Sequence, residues 1–171
     1  AGSGHRFEFQ QANIQALDFA AGTFDVVVAN HMLYHVPDLP QALAEVRRVL
    51  KGNGRFIAAT NGNNHMKELA ALVPDSISQT VASMRMQGQG EKLPFRLENG
   101  RNSLEPHFNT VDLYLYDDGL VVAEVEPLLA YAFSMINPDE DVPETAVTQL
   151  RAVCAAKIET EGGIRISKDS G

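Results

Sequence analysis

The chain has 171 residues, enough for one domain and short for two. Hydrophobic residues make up 44% and charged ones 21%, with 13 Gly, 8 Pro and no Trp, which excludes a disordered chain, a collagen-like repeat and a disulfide scaffold. Fourteen Lys and Arg against 22 Asp and Glu leave a net charge of −8, a balance that repels a phosphate backbone, so nucleic acid is not an expected partner.

The lone Cys154 has no internal disulfide partner and falls in a helical pattern, which suits a reducing, cytoplasmic location. No apolar run reaches the roughly 18 to 20 residues of a membrane span, and Ala1-Gly2-Ser3-Gly4-His5-Arg6 does not read as a signal peptide, so no membrane partner is expected. The chain begins without Met and runs almost at once into strand-like sequence, which suggests a processed or truncated piece.

Phe7 and Phe9 alternate with Glu8 and Gln10, predicting a half-buried strand over residues 6–14. Asp25-Val26-Val27-Val28-Ala29-Asn30 is an apolar, β-branched run with polar ends, as in a parallel strand covered on both faces. Asp38 stands three residues before Gln41 and Pro40 suits a first turn, so a helix is predicted from there, with Ala42, Leu43, Val46, Val49 and Leu50 on one face and Gly52 as its left-handed end. Gly54-Arg55-Phe56-Ile57-Ala58-Ala59-Thr60 reads as a second buried strand, making residues 25–60 a strand–helix–strand crossover. Beyond the Asn61-Gly62-Asn63-Asn64 turn, helices are predicted from Met66 to Val73 and from Ser76 to Met86, with a flexible Gln87-Gly88-Gln89-Gly90 connection. Leu93 to His107 is mixed, with a turn at Asn99-Gly100. Val111–Tyr116 and Leu120–Val125 around Asp117-Asp118-Gly119 predict a β-hairpin. Helices follow from Pro127 to Met135 and from Pro143 to Glu161, separated by an acidic linker at Pro138-Asp139-Glu140-Asp141, and Ile164-Arg165-Ile166 ends the chain as a strand.

The connected order Phe24-Asp25-Val26-Val27, Leu33-Tyr34-His35-Val36-Pro37-Asp38, Arg48-Val49-Leu50-Lys51 and Gly54-Arg55-Phe56 resembles the class I S-adenosylmethionine-dependent methyltransferases, and more narrowly their small-molecule type 11 group. About 50 residues match as one pattern, which is far more specific than an isolated glycine motif. The resemblance implies an α/β, Rossmann-like fold with a mostly parallel sheet, an antiparallel C-terminal hairpin and a helical cap over residues 64–107, all within a single domain. It also implies S-adenosylmethionine as cofactor. Asn13 falls where the family has an Asp accepting from the adenine amino group, a bond that an Asn carbonyl can also accept. Ile14 falls beside it, where a backbone N–H approaches the adenine. Asn30 and His31 close the first buried strand and face the crevice at the carboxyl ends of the sheet, while Tyr34 and His35 match the turn near the methionine moiety or the acceptor.

Two departures stand out. Lys51-Gly52-Asn53-Gly54 replaces the usual Lys-Pro-Gly-Gly, and the family's N-terminal glycine-rich loop and its flanking strands have no counterpart. Gly2 and Gly4 have no strand before them and no helix after. The resemblance thus implies an incomplete, N-terminally truncated domain entering the fold at its third strand, with apolar faces and strand edges to be covered. A symmetric homodimer would cover them.

Residue chemistry yields little more on its own. His31 and His35 are four apart, but in a turn without a third ligand, so no metal is expected. His35 is the candidate general base, because imidazole titrates near neutrality, and it could equally be a partly buried turn histidine. Met66, Met84, Met86 and Met135 fit either a pliable pocket or ordinary core, and Cys154 reads as a small buried apolar residue. The expected activity is methyl transfer to a small-molecule acceptor. The alternative is a methyltransferase-fold remnant that dimerises or binds without catalysing, and a nicotinamide-dependent dehydrogenase ranks behind both for want of its Gly-x-Gly-x-x-Gly.

Overall fold

The structure, a computed structural model, describes residues 7–72, 93–134 and 142–171. The predicted Ser76–Met86 helix, the Gln87–Gly90 connection, the acidic linker at 138–141 and Gly2 and Gly4 lie outside the described residues.

Strand β1 (Phe24–Asn30) leads through a 3-10 turn (Leu33–His35) into helix α1 (Leu39–Val49) and strand β2 (Leu50–Ala59). Pairing of β1 with β2 is parallel, so the predicted crossover unit is present. Local chemistry explains α1. The Asp38 carboxylate accepts from the Gln41 N–H at 3.0 Å, and Pro40 occupies the first turn, where its missing N–H costs nothing. Ala42, Leu43, Val46 and Val49 then face inward.

The helix ends one turn before Gly52, which lies within β2. Between Phe24↔Leu50 and Val26↔Arg55 the register shifts, so the helix-to-strand turn bulges from the ladder, and Lys51 Nζ clamps it by donating to both oxygens of Asp25 at 2.7 and 2.8 Å. A further correction concerns burial. Ala29 packs under α1 in a cluster with Leu33, Val36, Leu39, Ala42, Leu43 and Phe95. On the opposite face Val26, Val28 and Ile57 are about half exposed, at 48%, 54% and 52%.

Four further helices follow among the described residues: α2 (Lys67–Leu72), α3 (Leu97–Leu104), α4 (Val125–Ser134) and α5 (Glu144–Glu161). Strand β3 (Tyr116–Val122) precedes α4, and β4 (Ile164–Ser170) follows α5, whose end is turned by Gly162 at φ 73°. Leu69, Leu72, Leu128, Leu129, Leu150, Cys154, Ile164 and Ile166 form a second core cluster, which places Cys154 in the apolar role expected of it.

The antiparallel C-terminal pair is β3 with β4, in unbroken register from Tyr116↔Ser170 to Val122↔Ile164. Asp117-Asp118-Gly119 is therefore not a hairpin turn but the middle of β3. A seven-residue partner overrides the turn propensity of these residues, and Lys168, directly opposite Asp118, donates to its carboxylate at 3.0 Å. The turn predicted at Asn99-Gly100 lies inside α3, where Asn99 Oδ1 accepts from the Arg96 N–H at the helix start. The predicted strand over 6–14 is also absent: residues 7–12 have no regular structure, and Phe7 and Phe9 are 78% and 95% exposed. Alternation alone does not make a strand without a neighbour for its N–H and C=O groups.

Beyond β2 the chain continues beside β4. Thr60 and Gly171 exchange N–H···O bonds of 2.9 and 3.1 Å, and Gly62 N–H donates to the Asp169 carbonyl at 2.9 Å. The two two-stranded ladders, β1-β2 and β4-β3, are thus linked through residues 60–62, whose isolated antiparallel bridge Asn61↔Ser170 meets the end of β4.

Residues 17–19, leading into β1, are tied to α1 by one ion pair. Glu45 accepts from the Leu17 N–H at 2.9 Å and from Arg48, whose guanidinium also donates to the carbonyls of Leu17 and Phe19. The Arg48 hydrogen bond, followed by that from Leu17, holds the Glu45 carboxyl down at about 2. Because its folded value lies below its unfolded one, the tie is intact above the ordinary carboxylate range and is lost as pH falls through about 2. Hydrogen exchange of the Leu17 amide is expected to stay slow at pH about 4 and to speed up only on approach to the folded value. The variant Arg48→Ala is expected to lose that protection at every pH.

Candidate functional site

The carboxyl ends of β1 and β2 lie side by side, because a parallel pair points both strands the same way, and open α/β sheets bind ligands at that end. Asn30 is exposed there, and His31 follows with φ 50°, a left-handed conformation that turns the chain off the strand while its N–H still donates to the Ala59 carbonyl at 2.9 Å. Leu33, fully buried, pins the next turn to the core. Its neighbours Tyr34 and His35 carry rings 4.5 Å apart. Partial burial raises the Tyr34 phenol above its usual value, and His35 is exposed.

Asn13 and Ile14 reach the same end of the sheet. Ile14 packs against the cluster containing Leu33 and Val36, and Gln15 binds the α1 cap, its side chain accepting from the Asp38 N–H at 3.4 Å and its carbonyl from Gln41 Nε2 at 3.3 Å. Asn13 closes a local turn, its Oδ1 accepting from the Gln15 N–H at 3.0 Å. The amide remains exposed, with two N–H donors and a second lone pair for a ligand. The structure thus gathers Asn13, Ile14, Asn30, His31, Tyr34 and His35 on the loops at one end of the β1–β2 pair.

His65 joins them without having been flagged by any motif. Its only sequence signal is position: it follows the second buried strand and its Asn-Gly turn as His31 follows the first. The loop that carries it is held from both sides. From β4, Asp169 Oδ2 accepts from the Asn64 N–H at 3.1 Å, the Ser167 carbonyl accepts from the Met66 N–H, and Ser167 is bound in turn by Glu68. From the other side, Thr60 Oγ1 donates to the Phe95 carbonyl, Glu98 accepts from the Asn63 N–H at 2.8 Å, and Arg96 donates to Asn63 Oδ1. Nδ1 of His65 is buried without a hydrogen-bond partner. Burial lowers the pKa of this imidazole; a hydrogen bond with the Asp169 backbone opposes the shift, and the nearby His31 adds to it.

Elsewhere an open groove of about 360 Å³ lies between residues 15–18 and α1, lined by Gln15, Ala16, Leu17, Asp18, Gln41 and Glu45. Among the described residues no three His, Cys, Asp or Glu side chains gather as a metal-ligand set, and no helix is long and apolar enough to cross a membrane.

Comparison with solved structures defines the fold class. A candidate methyltransferase from Bacillus halodurans superposes over 95% of this chain and 74% of its own, with TM-score 0.55 at 15% identity. The YcgJ protein of Bacillus subtilis does so over 95% and 67%, with TM-score 0.53 at 16% identity. At these identities the likeness defines the fold, which is that of the Rossmann-like class I methyltransferases.

Sequence comparison narrows this for the N-terminal third, since residues 1–58 match the family model for the methyltransferase domain. The chain is 45% identical over 56 residues to the ubiquinone/menaquinone biosynthesis C-methyltransferase UbiE of Hahella chejuensis, covering 33% of this chain and 22% of that one. It is also 41% identical over 58 residues to the mitochondrial arginine-hydroxylase NDUFAF5 of mouse, covering 34% and 17%. A longer match, 29% identical over 132 residues, covers 67% of this chain and half of the Klebsiella pneumoniae UbiE. The matched segments thus span from about a sixth to half of these relatives. Residues 1–58 thus match the methyltransferase-domain model, and the chain as a whole has the fold of the class I methyltransferases.

Proposed function

We propose that this chain binds S-adenosylmethionine at the carboxyl ends of β1 and β2 and takes part in methyl transfer to a small-molecule acceptor. The observation that carries this reading is the connected 24–56 segment, folded as a parallel strand–helix–strand with Asn30, His31 and Tyr34 presented at its ligand-binding end. The residues fit the cofactor in chemistry. The exposed Asn13 amide can both accept from and donate to an adenine edge, Ile14 offers an apolar surface to the ring, and Asn30 and Tyr34 offer polar groups to the amino-acid portion. When bound, the cofactor supplies an electrophilic methyl on a sulfonium sulfur. The chain's own task is positioning and exclusion of water. His35, exposed beside Tyr34, is the base of this proposal for an acceptor that must lose a proton. The acidic composition favours a small acceptor over a nucleic acid.

Because stretches of this chain match both proteins named as methyltransferases and one named as an arginine hydroxylase, cofactor binding is the first step to test. Calorimetric titration with S-adenosylhomocysteine is expected to give micromolar binding that Asn13→Ala and Asn30→Ala each weaken about tenfold. Absence of heat at protein concentrations well above micromolar would overturn the proposal.

A second reading is favoured by one observation. Val26, Val28 and Ile57 form an open apolar face, and β1 has no strand on its outer edge among the described residues. This is the surface a homodimer would bury, with or without catalysis. Sedimentation at micromolar concentration is then expected to show a dimer that Val28→Lys dissociates, and a monomer throughout would remove this reading.

A further inference from the structure

Strand β3 has a partner on one side only among the described residues, and its register with β4 shows which of its backbone groups face away. In an antiparallel pair, residues that exchange both bonds alternate with residues that exchange none. Ser167 and Asp169 of β4 use their backbone groups on the side away from β3: the Ser167 carbonyl accepts from Met66 and its N–H donates to Glu68, while the Asp169 carbonyl accepts from Gly62. Their cross-strand partners Gly119 and Asp117, and by alternation Val121, therefore direct N–H and C=O to the outer edge of β3. The Gly119 N–H donates locally to Asp118 Oδ1 at 2.8 Å, which leaves the Asp117 and Val121 amides facing outward. The usual guards of an edge strand are missing. No Lys, Pro or bulge interrupts Tyr116–Val122, and Tyr114, Leu115, Tyr116 and Val121 are 61% to 79% exposed. Charge decides what fits there. Residues 108–150 hold nine Asp and Glu and no Lys, Arg or His, enough to account for the whole net charge of −8. Asp112 before the strand and Glu124 after it are exposed, and of the cations that β4 places opposite, Lys168 is paired with Asp118 and Arg165 lies across from Val121. A second copy would set two such acidic stretches side by side, and nucleic acid or anionic lipid would be repelled, whereas a basic strand is attracted.

We propose that the outer edge of β3 is a docking site for an extended, Lys- or Arg-bearing segment of a partner protein, which adds to the sheet as a further strand. Asp117, Gly119 and Val121 supply the ladder groups. Tyr114 and Tyr116 offer exposed aromatic faces to apolar or guanidinium side chains, and Asp112 and Glu124 supply the opposite charge. None of these residues belongs to the cofactor site proposed above, so the inference stands whether or not that reading does.

The experiment titrates the chain with a short synthetic peptide alternating Val with Lys, labelled for fluorescence anisotropy. Two controls accompany it: the same peptide with Glu in place of every Lys, and the Lys peptide methylated at every backbone nitrogen, which keeps the charge and cannot donate to a ladder. The Lys peptide is expected to bind about tenfold more tightly than either control. Its binding should slow hydrogen exchange at the Asp117 and Val121 amides, and change little at Asp118 and Leu120, which already face β4. The variant Val121→Lys, at an exposed position, should weaken the Lys peptide about tenfold while exchange at Asp118 and Leu120 stays slow, which shows that the ladder is intact. No binding, equal binding of the Lys peptide and either control, or protection that misses Asp117 and Val121 overturns the inference. A dimer that Val121→Lys dissociates also overturns it, because a second copy then occupies the edge.

Discussion

Replacing Leu33 by Ala is expected to destabilise the protein by about 2 to 5 kcal/mol, the range for deleting a large side chain from a closed core. Leu33 is fully buried, and its cluster draws on β1, the 3-10 turn, α1 and Phe95, so the vacated space is walled by four separate segments that cannot all collapse into it. Against the roughly 5 to 15 kcal/mol that holds a domain of this kind folded, the loss is large. Chemical denaturation should show an earlier midpoint with little change in slope. Leu33→Met, which nearly conserves volume, is expected to cost less than about 1.5 kcal/mol. The consequence for the site is direct, because Leu33 is the anchor that makes the chain leave β1 along the path carrying His31, Tyr34 and His35. In conditions where Leu33→Ala is still folded, NMR signals of those rings are expected to broaden or shift while those of α5 stay in place. Equal stability of the Ala and wild-type chains would mean that the turn is held by something other than this packing.

The part of the fold legible in the sequence was the part fixed by neighbours in sequence. Asp38, Pro40 and Gln41 specify the start of α1 within four residues, and the Val26–Ala29 run needs only a helix after it to become a parallel strand. Asn30, His31, Tyr34 and His35 inherit that legibility, since their places follow from where β1 must end. What stayed hidden depends on distant pairing. Asp117-Asp118-Gly119 has the composition of a turn, and only a partner some fifty residues later makes it strand. Phe7 to Ala12 has the alternation of a strand but pairs with no strand among the described residues, so it stays irregular. His65 was hidden for the same reason: its loop is ordered by bonds to Asp169 and Ser167, about a hundred residues away, and no local pattern announces them. Even the open face of β1 and β2 reads in sequence as buried, because β-branched runs report what a strand can bury and not whether anything covers it.

The contact of Gly62 and Asn64 with Asp169 is the second place where a small change should have a large effect. A methyl group added at Gly62 would lie 2.2 Å from Asp169 Oδ2 and 2.6 Å from its Cγ, far inside contact distance. The Asp169 side chain is short and its Oδ2 is held by the Asn64 N–H, so relief requires either losing that bond or separating the 60–62 segment from β4. Gly62→Ala is therefore expected to cost about 1 to 3 kcal/mol by overpacking, although Gly62 has no unusual backbone angle. Because these bonds link the two ladders, the damage should also appear as faster hydrogen exchange at Thr60, Gly62 and Gly171, whose N–H groups make the junction. Asp169→Ala removes the obstructing carboxylate together with one bond to the His65 loop, so by itself it should destabilise only modestly. In the double variant the two costs should not add: a coupling of about 0.5 to 3 kcal/mol in favour of the pair is expected, the range for residues in direct contact. Strict additivity would mean that Gly62 and Asp169 do not touch, and the junction between β2 and β4 that fixes His65 would then need a different geometry.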